Sequence, residues 1–384
     1  MDYFDFAIDL MKKIVSIPSN SQGEKDIASF LDTLFHEMGL ITHLHQVREN
    51  SYNVIAKLQG QGAPRRKLLL GGHMDTVKPD KGWADNPLIA REEEGRYYGL
   101  GCGDMKGGLA AQITVLKKLL DEGVPFQGEI EMVCLCDEER HSIGAIEYVN
   151  WTQEHQEQIA DFGIFAEPHY DHIVVGATGK ALFRIEVIGS TCHGATPENG
   201  INAVSCMAKL IQAFDERYGS LYKQKRGASH CVLQIESPWE GYSLSVPDRC
   251  SCLLNKQLDS GEAAADLMTD LMDLYQQTVG EGRIKISREI PYYPSYAVDL
   301  RNEDLELLVQ TAGRVGGFVP SLCINQSVSD GNILNKELGI PVVLFGPQGV
   351  NFHKAGEYVV AETIRNYMCI LEEYIEKFFK KENS

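Results

Sequence analysis

The order of secondary-structure signals in the middle of the chain is the strongest constraint on its fold. Phe183, Ile185 and Val187 alternate within residues 181–188, the period of a half-buried strand. A helical pattern follows over 201–218, then strands near 230–236 and 249–258, a helical pattern over 262–279 and a strand over Arg283–Ile290. The order β-α-β-β-α-β is the split βαβ or ferredoxin-like arrangement, and at about 110 residues it is large enough for a domain.

The flanking segments read differently. Residues 24–38 repeat Ile27, Leu31, Leu34, Phe35 and Met38 at helical spacing, and residues 105–120 repeat Leu109, Ile113, Leu116 and Leu120. Strand patterns lie at Tyr52–Leu58, Lys67–Leu70, Ile130–Cys136 and Phe162–Phe165, and later a helix over 303–315 and a strand at Pro341–Phe345. Strands alternating with helices argue for an α/β sheet covered on both faces. The expected organisation is a catalytic α/β domain of residues 1–178 and 293–384. A ferredoxin-like domain of residues 179–292 is inserted into it.

Charge narrows the function. Thirty-six Lys and Arg against 54 Asp and Glu give a formal charge of −18. A chain this acidic lacks the electrostatic footprint of a nucleic-acid or anionic-membrane binder. No apolar run approaches the roughly 18 residues that span a bilayer. Met1–Asp5 has no basic, apolar leader. None of the ten cysteines forms a C-x-x-C pair, so they read as reduced thiols. These features predict a cytoplasmic protein with neither nucleic acid nor membrane as partner.

Five short stretches carry the chemistry-bearing residues. His73 and Asp75 form an H-x-D pair after the strand at Lys67–Leu70. Asp104 lies in the Gly-rich run Gly101–Gly108, at the start of a helix. Asp137-Glu138-Glu139 follows the strand at Ile130–Cys136, Glu167-Pro168-His169 follows Phe162–Phe165, and the run from Gly346 to His353 follows Pro341–Phe345. All five are expected at the carboxyl ends of strands, the edge where open α/β sheets bind ligands. Singly, an Asp before a helix is an N-cap and a Glu pair is solvated surface. Together, imidazoles and carboxylates are suitable ligands for zinc, and a carboxylate can bridge two metals through its two oxygens.

With these stretches the chain resembles the co-catalytic zinc amidohydrolases and exopeptidases, the family of acetylornithine deacetylase, succinyl-diaminopimelate desuccinylase, aminoacylase and carboxypeptidase G. The resemblance rests on Gly72–Val77, Gly99–Gly108, Asp137–Glu139, Ala166–Pro168, Cys192–Pro197 with the run on to Ala203, and His353–Tyr358. It implies a zinc-exopeptidase-like catalytic domain with an inserted lid or dimerisation domain, and a homodimer through that domain. It implies two Zn²⁺, with Co²⁺ or Mn²⁺ able to use the same ligands. His73 would bind one metal with Glu167, Glu139 and His353 the other, and Asp104 would bridge them. Glu138 would be the general base, Asp75 would orient the His73 imidazole, and His193 would stabilise the oxyanion, often in the partner subunit's site. Asn202, Asp330 and Gly331 are weaker candidates for substrate contact.

The implied reaction is hydrolysis of the amide bond of a small N-acylated amino acid or peptide. Metals lower the pKa of water, and Glu138 takes its proton and delivers it to the leaving amine. One feature departs from the family pattern. Gln257 stands where an Arg would contact the substrate carboxylate, and a neutral amide cannot make that charged pair. Lys256 or another cation would have to replace it, or the substrate differs. The rivals are weaker. Asp104 stands where G-x-G-x-x-G needs Gly, no G-K-[ST] follows, and no G-x-S-x-G occurs. A catalytically silent metal-binding or regulatory protein on the same fold is the alternative.

Overall fold

The computed structural model describes residues 2–61, 66–224, 229–238 and 244–380. Helices α1 (Tyr3–Val15) and α2 (Lys25–Glu37) open the chain. Strands β1 (Ile41–Arg48), β2 (Ser51–Gln59) and β3 (Lys67–His73) follow, then the short hairpin β4 (Arg91–Glu93) and β5 (Arg96–Tyr98). Next come α3 (Gly107–Asp121), β6 (Glu129–Leu135), α4 (Ile143–Glu154), β7 (Phe162–Phe165) and β8 (His172–Ala177). The second segment runs β9 (Gly179–Ile188), α5 (Ala203–Gln224), β10 (His230–Glu236), β11 (Arg249–Leu258), α6 (Ala264–Thr278) and β12 (Arg283–Tyr293). The last comprises β13 (Tyr296–Ala297), α7 (Glu303–Thr311), β14 (Ser321–Asn325), α8 (Asp330–Leu338), β15 (Val342–Leu344), β16 (Gly349–Val350), β17 (Tyr358–Val360) and α9 (Ala361–Lys380).

The chain divides into two compact units. One comprises Met1–Gly176, Ala297–Asn325 and Ser329–Ser384; the other comprises Ala177–Tyr296 and Gln326–Val328. The main sheet of the first unit runs β1-β2-β6-β3-β7-β15-β8-β13, with β14 beside β8. Its centre, β6, β3, β7 and β15, is parallel, and antiparallel strands flank it, so the sheet is mixed. Every residue of β3 and β6 is buried, as strands covered on both faces must be. Helices α1, α3 and α9 pack in sequence on one another, and α4 packs on α8.

Two glycines set how tightly these layers close. A Cβ on Gly108, in the first turn of α3, would come within 2.0 Å of the Ala166 carbonyl oxygen. The helix can therefore approach the end of β7 only without a side chain there, and overpacking of this kind costs about 1–3 kcal/mol. Gly72 has φ 154°, and a Cβ on it would lie 1.9 Å from Met105 Cε. Both close contacts lie one residue from a candidate ligand, Glu167 through Ala166 and His73 through Gly72.

The second unit is an antiparallel sheet, β10-β11-β9-β12, with α5 and α6 on one face. Phe183, Ile185, Val187, Cys252 and Leu254 point to the helices and meet Met207, Leu210, Phe214, Leu271 and Tyr275. The opposite face carries ion pairs, Arg184 with Glu289 at 2.9 Å and Arg249 with Glu186 at 3.2 Å. Edge strand β10 leaves Leu233 and Ile235 more than half exposed, at 56% and 54%.

Element ends shift from the sequence reading where the chain tightens. The helix expected over 105–120 begins at Gly107, because Cys102–Lys106 form a wide turn in which Asp104 and Met105 are not helical. The helix expected over 303–315 stops at Thr311 and passes into a second wide turn, Ala312–Gly316. The two- and three-residue strands β4, β5, β16 and β17 form a separate small sheet, too short to leave a readable period.

Candidate metal centre

Four of the five motif stretches leave the carboxyl ends of parallel strands. His73 ends β3, Asp137–Glu139 follow β6, Glu167 follows β7, and the 346–353 loop follows β15. Asp104 differs from the expectation. It follows β5 of the small sheet rather than a strand of the main one, and it has φ −117° and ψ 97°, outside the helix it was expected to start.

The main-sheet ends and the small-sheet turn meet at one point. His73 Nε2 lies 3.1 Å from Asp104 Oδ1. Asp104 Oδ2 lies 3.3 Å from Nε2 of His353, which lies 2.9 Å from Glu139 Oε2. One carboxylate thus stands between two imidazoles, with one oxygen toward each. Ligand atoms of His73, Asp104 and Glu139 all fall within 4.8 Å of one another. His353 reaches this position with φ 64°, a left-handed conformation uncommon outside glycine and concentrated at functional sites.

The electrostatics fit a cation. Burial pushes the Glu138 carboxyl well above its usual range, and Asp330, Glu167 and Glu139 add to this against the pull of His73. Burial, then the Asp104 charge, push Glu167 up to about 8. Hydrogen bonds to Asp104 and Glu139 raise His353 to about 10. Burial opposes ionisation of Asp104, but the bonds to His353 and His73 outweigh it and hold its carboxyl well below the usual range. The buried Lys106 does not neutralise the cluster by contact, because its Nζ donates to the carbonyls of Ile14 at 2.9 Å and Ile17 at 3.3 Å. Crowded carboxylates with two imidazoles are a donor set suited to Zn²⁺.

The Asp75 carboxylate, expected to orient the His73 imidazole, makes its close contacts elsewhere. His73 Nδ1 lies nearest the Asp75 main-chain carbonyl, at 3.1 Å, and 3.5 Å from its carboxylate. That carboxylate instead accepts the Glu138 N–H at 3.1 Å, the Glu139 N–H at 3.2 Å and the Ser21 hydroxyl at 2.6 Å. The H-x-D stretch thereby holds the backbone that presents the Glu138–Glu139 pair. Sequence reasoning missed Ser21 and Lys106. Ser21 arrives because the segment after α1 pairs beside residues 74–76, through the bridge of Asn20 with Thr76.

The remaining candidates sit at helix ends and in a loop of the second unit. Asn202 Oδ1 accepts the N–H groups of Val204 and Ser205, so its side chain caps α5. Asp330 and Gly331 are buried in the first turn of α8, where the Gly331 N–H meets Ser329 Oγ. Helix-end chemistry accounts for the Asn202 side chain and the Gly331 N–H, whereas the Asp330 carboxyl is buried and is pushed up to about 7, chiefly by that burial. His193, in the second unit, is exposed, bridges to Ser245 and accepts the Ala195 N–H on Nδ1. Lys256, one alternative to the expected Arg, is turned into the core of its unit. It shares the core-facing side of β11 with Cys252 and Leu254, its side chain is 1% exposed, and its Nζ lies 3.3 Å from Glu262. Gln257 faces the other way, directly across from Lys180 on β9.

The sequence model of peptidase family M20/M25/M40 matches residues 69–377. The chain belongs to that family. As an M20/M25/M40 member it is a hydrolase of amide bonds. A succinyl-diaminopimelate desuccinylase of Gluconacetobacter diazotrophicus is 26% identical over 389 residues, covering 97% of this chain and 96% of that protein. A tripeptidase from Staphylococcus aureus has the same fold, with a TM-score of 0.80 at 23% identity over 98% of this chain and 99% of that one. So does an M20 metallo-carboxypeptidase from Sulfolobus solfataricus, with a TM-score of 0.76 at 17% identity over 96% and 98%. The alternation and order β-α-β-β-α-β therefore belong to a fold shared across this family.

The Asp75 hydrogen bonds are testable. Asp75→Asn keeps the volume but turns an amide donor toward one of the two N–H groups, that of Glu138 or that of Glu139. Its kcat should fall by about 10–100-fold, the range for groups that hold ligands in place, with an unchanged circular dichroism spectrum. A wild-type kcat would show that these bonds do not position the pair.

Proposed function

We propose that this chain binds two Zn²⁺ ions and hydrolyses the amide bond of small N-acylated amino acids or short peptides with a free carboxylate. The observation that carries the reading is the Asp104 carboxylate, shared between His73 and His353 with Glu139 in the same cluster. His73 and Glu167 would hold one ion, Glu139 and His353 the other, and Asp104 both. Bound ions at this position would polarise the scissile carbonyl and make water acidic enough to attack it near neutral pH.

The chain's own residues then manage protons. Glu138, next to the ligand Glu139, is raised by burial, so it can take a proton from the attacking water and release it to the leaving amine. Asp75 fixes its backbone. Removing the base should leave the ligands intact. Glu138→Ala should lower kcat by about 10²–10⁴-fold or more while zinc analysis still finds two equivalents per chain. In the wild type, chelation should abolish amide hydrolysis and zinc should restore it. Full activity in Glu138→Ala would refute the base assignment, and metal-free hydrolysis would favour a different chemistry.

A free carboxylate on the substrate is the part of the reading that a substrate panel tests. A panel of N-acetyl and N-succinyl amino acids, dipeptides and their amidated counterparts should show preference for the free acids. Equal turnover of acids and amides would remove the carboxylate from the reading.

The exposed β10 edge, with Leu233 and Ile235, is the surface we assign to a homodimer. We assign the oxyanion role to His193 acting in the partner's site. Glu138→Ala and His193→Ala proteins should each be inactive, and subunit mixing should restore activity. No recovery from a freely exchanging mixture would refute the shared site.

A further inference from the structure

Glu357 lies immediately before β17 and is 1% exposed. It lies within the His353–Tyr358 stretch that carries the family resemblance, but it is not among the candidate ligands. Its main-chain carbonyl accepts the Gly99 N–H at 3.1 Å, continuing the antiparallel pairing of β17 with β5. Its side chain then folds onto the turn that follows β5. Oε2 accepts the Gly101 N–H at 3.0 Å, and Oε1 accepts the N–H groups of Gly103 and Asp104, each at 3.0 Å.

Three backbone donors therefore converge on one buried carboxylate. Successive N–H groups pointing into a concavity form an anion site, and here the anion is built into the chain. The turn is shaped for that contact. Gly101 has φ 78°, and a Cβ on Gly103 would sit 3.1 Å from both Gly349 Cα and the Tyr358 carbonyl oxygen. All three bonds use the turn's backbone, which leaves the Asp104 side chain to His73 and His353.

We infer that Glu357 is a positioning residue for Asp104. It fixes where the Asp104 backbone leaves the turn, and so where the shared carboxylate stands between the imidazoles. The H-x-x-x-E spacing from His353 to Glu357 joins the two functions. One end of the loop supplies a candidate ligand, and the other holds the turn that supplies the next. Asp75 does the same from the β3 side, holding the Glu138–Glu139 backbone two residues beyond His73. The inference rests on Asp104 being the shared ligand of the proposed centre.

Glu357→Gln tests it, because the amide keeps the size while losing the charge and turning a donor toward the turn. Zinc affinity, measured by competition with a chromophoric chelator, should fall by about 10–100-fold. The visible spectrum of the Co²⁺-loaded protein should change, and kcat should fall with KM unmoved. Glu357→Asp retains the charge with a shorter reach and should regain part of each loss. A folded Glu357→Gln protein with wild-type zinc affinity and an unchanged Co²⁺ spectrum would overturn the inference. If that variant does not fold, Glu357→Asp decides. Loss of affinity together with an altered spectrum supports the positioning role, and wild-type values in both overturn it. A wild-type protein that binds no metal would instead overturn the reading of the centre itself, and this inference with it.

Discussion

The Asp104 carboxylate, placed between His73 Nε2 and His353 Nε2, is the contact on which the rest of the catalytic unit depends. The two histidines arrive from opposite ends of the chain and from different sheets. His73 ends a central parallel strand, and His353 lies in the loop between β16 and β17 of the small sheet. A carboxylate with two oxygens is the simplest group that can address both. Fixing it requires that the main sheet, the small sheet and the start of α3 all close on one another. Glycines at 72 and 108 permit that closure, since any side chain there would strike Met105 or Ala166.

The centre is held by carboxylates that are not themselves placed to ligate. Asp75 grips the backbone of residues 138–139, and Ser21 in turn hydrogen-bonds Asp75. Lys106 ties the turn around Asp104 to the end of α1. Such groups convert flexible loops into a preorganised donor set, which fixed positions in a low-dielectric site reward. They also give part of the acidic excess of −18 a specific use. Several buried carboxylates hold backbone, and others converge where a cation would stabilise them.

The parts of this arrangement that sequence could show are those carried by contiguous motifs. His73, Asp137–Glu139 and Glu167 each stand at the carboxyl end of an apolar strand run, so both the strand and the place of these residues on it were legible. The β-α-β-β-α-β order was legible because its strands are long enough to alternate. Asp104 was misplaced because β5 has three residues and no period, and because its wide turn mimics a helix start. The partners of Asp75 and Glu357 left no trace, since backbone N–H groups are the same in every residue and lie up to 256 positions away. The burial of Lys256, one of the alternatives offered for the missing Arg, was also legible. Cys252 and Leu254 face the core, and the period of two places Lys256 on that same face.

The measurement that bears most directly on the account is anomalous diffraction from zinc-loaded crystals at the zinc absorption edge. The account predicts two peaks roughly 3.5–4 Å apart, the spacing of co-catalytic pairs, with Asp104 between them. One peak should be ligated by His73 and Glu167, the other by Glu139 and His353. A single peak, or two peaks that do not share Asp104, would contradict it.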